Sequence, residues 1–195
     1  MMIAAMVAVV GVNAQDEEYS LHEVAVTYGG MSNSTWMSIG DALGTTIFSL
    51  GSIKYDGDDF IGPIGLEYFY HVDPVVGVGA IGVYAQETKN MFIGGDPWGD
   101  AKNTYITVMP AVKFNWLRKQ YFGMYSKVGA GVTIRTQKED YPESSNVKDV
   151  SESKVFFNFQ LTGIGIEAGP NAVRGFVEFG LGEQGMALAG IRCKF

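Results

Sequence analysis

Eight stretches of this chain alternate apolar and polar side chains with a period of two, and the links between them differ sharply in length. A period of two is the signature of a pleated strand, whose successive side chains point to opposite faces. The stretches are Leu21–Tyr28, Ile61–Tyr70, Val75–Ala85, Thr104–Trp116, Tyr121–Arg135, Lys154–Ala168, Gly175–Leu181 and Met186–Phe195. In the fourth, Ile106, Val108, Val112, Phe114 and Trp116 share one face, and Tyr105, Thr107, Lys113 and Asn115 share the other. The fifth sets Phe122, Met124, Val128, Ala130, Val132 and Ile134 against Tyr121, Lys127, Thr133 and Arg135, with Gly123, Gly129 and Gly131 on the polar side. The seventh opposes Val177, Phe179 and Leu181 to Glu178, and the eighth opposes Ala187, Ala189, Ile191, Cys193 and Phe195 to Arg192 and Lys194. The third stretch is apolar on both faces. The sixth changes phase near Thr162 and Gly163, as a β-bulge would make it do.

The links His71–Pro74, Leu117–Gln120 and Gly169–Arg174 are tight, whereas Gly29–Phe60, Gln86–Asn103 and Thr136–Ser153 are long and polar; only Gly182–Gly185 is short where a long link is due. Turns at one rim and loops at the other describe an up-and-down barrel with both termini on the short-turn side. Glycine, at 26 of 195 residues, is in excess without a triplet period, which excludes collagen and favours strands and tight turns. A net charge of -7 without a Lys/Arg cluster speaks against nucleic acid as a partner. One cysteine and two histidines are too few for an internal disulfide or an ordinary structural zinc site.

Residues Met1 to Val12 form an uncharged apolar run, closed by Val12-Asn13-Ala14 with small residues at -3 and -1 of a signal-peptidase site and followed by Gln15, Asp16, Glu17 and Glu18. The expectation is a signal peptide over 1–14 and a single barrel domain over 15–195, although no Lys or Arg precedes the apolar run; a buried N-terminal strand or helix is the alternative. After Ala14 no apolar run reaches the 18 residues of a membrane helix, so an exported form that enters a membrane must do so as a closed barrel. Alternation alone does not say which face is outside, because a soluble lipocalin-like barrel has the same period with its apolar face inward. The polar face carries Glu23, Glu67, Lys113, Lys127, Arg135, Glu178, Arg192 and Lys194, near-balanced in sign and mixed with glycines, which suits a narrow lumen better than a solvated exterior. Threading the strands up and down brings Glu23, Glu67, Lys113, Glu178 and Arg192 close to the short-turn end, where one ionic layer is expected, and with Lys127 they make up the expected ionic network that plugs the lumen. Eight strands leave room only for side chains, so no conducting pore is expected.

At this point the chain resembles the small eight-stranded outer-membrane barrels of the OmpX and OmpA-barrel type, especially those common in Bacteroidetes. The resemblance runs from about Tyr19 to Phe195 and rests on Asn13-Ala14-Gln15, on Gly65-Leu-Glu-Tyr-Phe-Tyr-His71, and on the last strand from Gly185 to the terminal aromatic Phe195. It implies that Phe195 is an assembly signal read by the barrel-assembly machinery, and that the surroundings are outer-membrane lipid. The long first loop departs from the pattern.

In that loop Trp36, Ile39, Leu43, Ile47 and Leu50 recur at helical spacing behind a possible N-cap, Ser34, which predicts a short amphipathic helix near Thr35–Leu50. A ten-stranded form with Thr45–Tyr55 as strand is the alternative. Asp56, Asp58 and Asp59 lack the twelve-residue spacing of a calcium loop and read as a solvated turn. His22 and His71 fall at the short-turn rim, away from the outer leaflet in which a lipid A-modifying enzyme would need its base. Tyr28, Tyr84 and Tyr105 on one side, and Tyr68, Tyr70, Trp116 and Phe195 on the other, suit two interfacial girdles. The fold expected is therefore all-β, an eight-stranded antiparallel up-and-down transmembrane barrel with a short helix in the first long loop. It is expected in the cell outer membrane, non-enzymatic, without catalytic residues, cofactor or metal. Its loops are expected to serve surface interaction, adhesion or envelope integrity through a possible extracellular partner. The alternatives are a lipid A-modifying enzyme of the outer membrane and a secreted lipocalin-like carrier.

Overall fold

The computed structural model describes residues 20–32, 53–93, 96–140 and 150–195. Eight strands follow in chain order: β1 His22–Gly30, β2 Ile53–His71, β3 Val76–Ile93, β4 Asp96–Arg118, β5 Phe122–Asp140, β6 Val150–Ala168, β7 Val173–Gly182 and β8 Ala187–Lys194. Each pairs antiparallel with its neighbours, and β8 pairs with β1 to close the barrel. At the seam His22 and Phe195 exchange backbone hydrogen bonds of 2.8 and 2.9 Å. The expected helix and its residues Trp36, Ile39, Leu43, Ile47 and Leu50 lie outside the described residues, as does the leader over 1–14.

The strands are longer than the alternation alone marks. β2 to β6 run for 18 to 23 residues, while β1, β7 and β8 have 8 to 10, so one side of the wall stands about twice as tall as the other. The described parts of the polar stretches Gln86–Asn103 and Thr136–Ser153, expected as loops, are continuations of these strands: 86–93 and 96–103 in one, 136–140 and 150–153 in the other. Asp56, Asp58 and Asp59 likewise belong to β2, with a register shift between Asp56 and Asp58, and not to a turn. Above the shared barrel the period-two signal fades because polar residues follow one another in the sequence, as in Glu87-Thr88-Lys89-Asn90 and Ser151-Glu152-Ser153-Lys154. The phase change in β6 is a register shift: Thr162 pairs with Gly180 and Ile164 with Phe179, leaving Gly163 as the extra residue.

The short turns are closed by their own chemistry. Asp73 Oδ1 accepts hydrogen bonds from the amides of Val75 at 2.7 Å and Val76 at 2.8 Å, an Asx-type closure of β2 onto β3. Arg174 reaches sideways, its Nη2 donating to the carbonyls of Lys119 and Gln120 at 3.0 Å, and so ties the β6–β7 turn to the β4–β5 turn.

Within the shared barrel burial alternates along the strands, apart from the bulge in β6, and is inverted with respect to a water-soluble domain. Inward positions of β1, for example, are Glu23, Ala25, Thr27 and Gly29, and its outward positions are Val26, Tyr28 and Gly30. The exposed side of the wall carries Phe157, Ile191, Phe179 and Val132 at 74%, 63%, 57% and 47% exposure, while Lys127, Glu178 and Arg192 are at 1%, 1% and 0%. Two apolar clusters also sit inside, one of Phe69, Ile81, Val83, Met109 and Ala111, the other of Ala25, Tyr125, Phe176 and Leu188. The first accounts for β3 being apolar on both faces: Ile81 and Val83 line the interior while Val78 and Tyr84 face out.

Candidate functional site

The interior nearest the short turns is an ion-pair network built from inward positions of seven strands. Alternation places Glu23 on β1, Glu67 on β2, Lys113 on β4, Lys127 on β5, Glu178 on β7 and Arg192 on β8 toward the axis, and Glu167 of β6 joins them. Arg192 is the hub. Its Nη1 donates to Glu167 Oε2 at 2.6 Å, and its Nε lies 2.7 Å from Glu23 Oε1 at ion-pair distance without hydrogen-bond geometry. Its Nη2 lies 3.5 Å from Glu67 Oε2 and 3.7 Å from Glu178 Oε1. Lys113 Nζ donates to both oxygens of Glu23 at 2.8 and 2.9 Å. Lys127 Nζ bridges Glu67 and Glu178, with 2.8 Å to Glu178 Oε2. All six residues expected in the network therefore meet in one constellation.

The remaining lone pairs and protons are answered by neutral groups. Tyr125 Oη donates to Glu178 Oε1 at 2.6 Å and accepts from Arg192 Nη2 at 3.0 Å, and Thr162 Oγ1 donates to Glu178 Oε2 at 2.7 Å. The Tyr125 ring meets two cations, 4.1 Å from Lys113 Nζ and 4.5 Å from the Arg192 guanidinium, and the Arg192 guanidinium also lies 4.1 Å from the Phe176 ring. Negative ring faces thus supplement the carboxylates where more oxygen would not fit. Glu167 also takes Arg174 Nη1 at 2.9 Å and Lys194, so five cations stand against the four carboxylates Glu23, Glu67, Glu167 and Glu178. In a dry interior such pairing is first a structural necessity, because a buried charge without partners costs several kcal/mol.

Sequence reading missed Glu167, Tyr125 and Arg174. Glu167 follows the phase break in β6, which hides its face; Tyr125 and Arg174 look like ordinary strand and turn residues until their register is known. One girdle residue is corrected: Tyr105 is 1% exposed and points into the barrel, on the same face of β4 as Thr107 and Lys113. Tyr28, Tyr84, Tyr68, Tyr70, Trp116 and Phe195 do face outward. Arg135 lies higher in the bore, its Nη2 within 3.3 Å of Asn103 Oδ1 and 3.2 Å of Gln137 Oε1.

The histidines are engaged at the short-turn rim. His71 is buried, with Nε2 3.2 Å from Glu23 Oε2 and Nδ1 3.4 Å from Asn115 Nδ2. His22 sits outside, its Nδ1 2.9 Å from Tyr68 Oη and its ring stacked 5.5 Å from that of Phe195. The side-chain partners of His71 are thus Glu23 and Asn115, that of His22 is Tyr68, and Glu23 is in turn held by Lys113. Among the described residues no group of three or more His, Cys, Asp or Glu side chains is arranged to hold a metal ion.

No family model matches the chain, and no curated protein does. Among solved structures it is similar to the crystal structure of Ail, the attachment invasion locus protein of Yersinia pestis, at 17% identity and a TM-score of 0.41, covering 91% of this chain and 95% of that one. The same figures hold for Ail in complex with the heparin analogue sucrose octasulfate.

Proposed function

We propose that this chain is an integral outer-membrane barrel of the OmpX type, exported by a leader over residues 1–14 and working as a non-enzymatic envelope protein. The observation that carries this reading is the inversion of burial: side chains such as Phe157, Ile191 and Phe179 cover the outside while Arg192, Lys113, Lys127, Glu23 and Glu67 fill the inside. In water that arrangement exposes a continuous apolar band and buries charge, the reverse of what solvation favours; in hydrocarbon both features are the stable choice. Closure of β8 onto β1 leaves no open edge in the shared barrel, as spanning requires.

The lumen is plugged by side chains, so the barrel's work falls to what projects from it: the tall side formed by β2 to β6 and the links above it, serving surface interaction, adhesion or envelope integrity through an extracellular partner. A lipocalin-like carrier is disfavoured because its apolar interior would hold ligand, whereas Tyr105, Tyr125, Lys113 and Arg192 occupy this one. A lipid A-modifying enzyme is disfavoured because His71 is turned inward onto Glu23. Outer-membrane lipid and, through Phe195, the barrel-assembly machinery are the further partners.

The test is heat-modifiable electrophoretic migration of protein folded in detergent. The unboiled barrel should run as a faster band that shifts on boiling, and the native protein should fractionate with outer membranes. A chain that remains monomeric and folded in buffer without detergent would overturn the reading.

A further inference from the structure

The link Gly182-Glu183-Gln184-Gly185 joins β7 to β8 at the rim opposite the short turns, where an acid and an amide would ordinarily stand in solvent. Instead Glu183 and Gln184 are 0% and 1% exposed. The chain folds back into the bore through Gly182 and Gly185, at φ +141° and +110°, a backbone region that side-chain-bearing residues rarely adopt. We infer that this link is a clasp that fastens the seam between β1 and β8 from inside the barrel.

Its attachments are mostly to strands it does not connect. Toward β1, the Met186 amide donates to the Gly30 carbonyl at 2.9 Å and Gln184 Nε2 donates to Thr27 Oγ1 at 3.3 Å. A side chain at Gly29 would collide with the Gln184 carbonyl oxygen, so glycine there makes room for the link. Toward β2, Gln184 Nε2 donates to Glu67 Oε1 at 2.7 Å, which joins the link to the ionic network. Toward β6, the Glu183 amide donates to the Phe159 carbonyl at 3.0 Å, the Gln184 amide to Gln160 Oε1 at 2.8 Å, and Asn158 Nδ2 to Glu183 Oε2 at 2.8 Å. Toward β4, Thr107 Oγ1 donates to Glu183 Oε1 at 3.4 Å.

In a barrel of consecutive hairpins only the seam between the first and last strands lacks a covalent link at either rim, so its lateral opening breaks no connection. The short-turn end of this seam is held by the His22 and Phe195 backbone exchange with its ring stack, and Arg192 meets Glu23 across it. At the opposite end the pairing stops at Gly30 and Ala187, where the link takes over. With Gln184 bonded to Glu67, β1 cannot part from β8 at that end until the link is drawn out of the bore. The clasp requires only the closed barrel and goes beyond the proposed membrane role.

Amide hydrogen exchange of the full-length barrel, folded in detergent micelles and read peptide by peptide, tests this. Gln184→Ala removes the side-chain bonds and Gly29→Ala displaces the link, and each should accelerate exchange in Val24–Gly30 and Ala187–Cys193 by about tenfold, the scale of one hydrogen bond to a buried carboxylate. Exchange across β3 to β5 should stay unchanged. Asn171→Ala, which removes a 2.8 Å bond to Arg174 at the β6–β7 turn, is the control and should leave the seam as it is. Unchanged seam exchange in Gln184→Ala, or an equal acceleration in every strand, would overturn the clasp; should Gly29→Ala not fold, Gln184→Ala decides alone. Failure to form a heat-modifiable band in the native protein would count against the membrane reading and not against the clasp.

Discussion

Arg192 meets four carboxylates at once, Glu23, Glu67, Glu167 and Glu178. Replacing it by methionine keeps much of the volume but strips Glu23, Glu67, Glu167 and Glu178 of a shared counter-charge. The expected loss is about 3–5 kcal/mol, the scale for a buried pair broken on one side. A urea titration of the detergent-folded barrel reads it as a lowered midpoint, and an unchanged midpoint would show that the remaining lysines suffice. Tyr125→Phe should cost less, about 1–3 kcal/mol for the buried groups left without a partner, because Lys127 and Thr162 still hold Glu178. Glu23, Lys113, Lys127, Glu178 and Arg192 were legible in the sequence because a charge that interrupts apolar residues at even spacing has only one face to occupy. The partners Glu167 and Tyr125 were not, since a bulge erases the phase at one and a tyrosine suits either face at the other.

At the scale of elements, Arg174 links two turns through the carbonyls of Lys119 and Gln120. Arg174→Ala should leave the barrel intact while loosening the β4–β5 turn, so limited trypsin digestion followed by mass spectrometry should show faster cleavage after the exposed Lys119. An unchanged cleavage rate would mean that the turn is held by its own backbone bonds between Lys119 and Phe122. Strand number, order and hydrogen-bonded neighbours followed from alternation and link length. Strand ends did not: polar residues follow one another in the upper parts of the long strands, as in Glu87-Thr88-Lys89-Asn90, and a period of two is visible only where the two faces meet different media. The 182–185 link was marked in the sequence as the one short connection on the long side, but its inward path depends on φ values and on contacts to Thr27 and Glu67 far away in the chain.

At the scale of the whole molecule the stable placement of the barrel depends on which medium touches the outer wall. Leu161, half exposed on β6, should tolerate arginine at little cost if water lies outside, whereas within a bilayer Leu161→Arg should destabilise the barrel by about 2–4 kcal/mol near the midplane and less toward either interface. Unfolding from lipid vesicles measures the difference. The most direct measurement uses single cysteines in a Cys193→Ser background, placed at Val132, Phe179 and Ile191, labelled with a fluorophore and reconstituted into vesicles. Quenchers carried on the lipid acyl chains should extinguish the label at all three positions while a water-soluble quencher leaves it bright. Quenching from water with none from lipid would contradict the membrane assignment at its root.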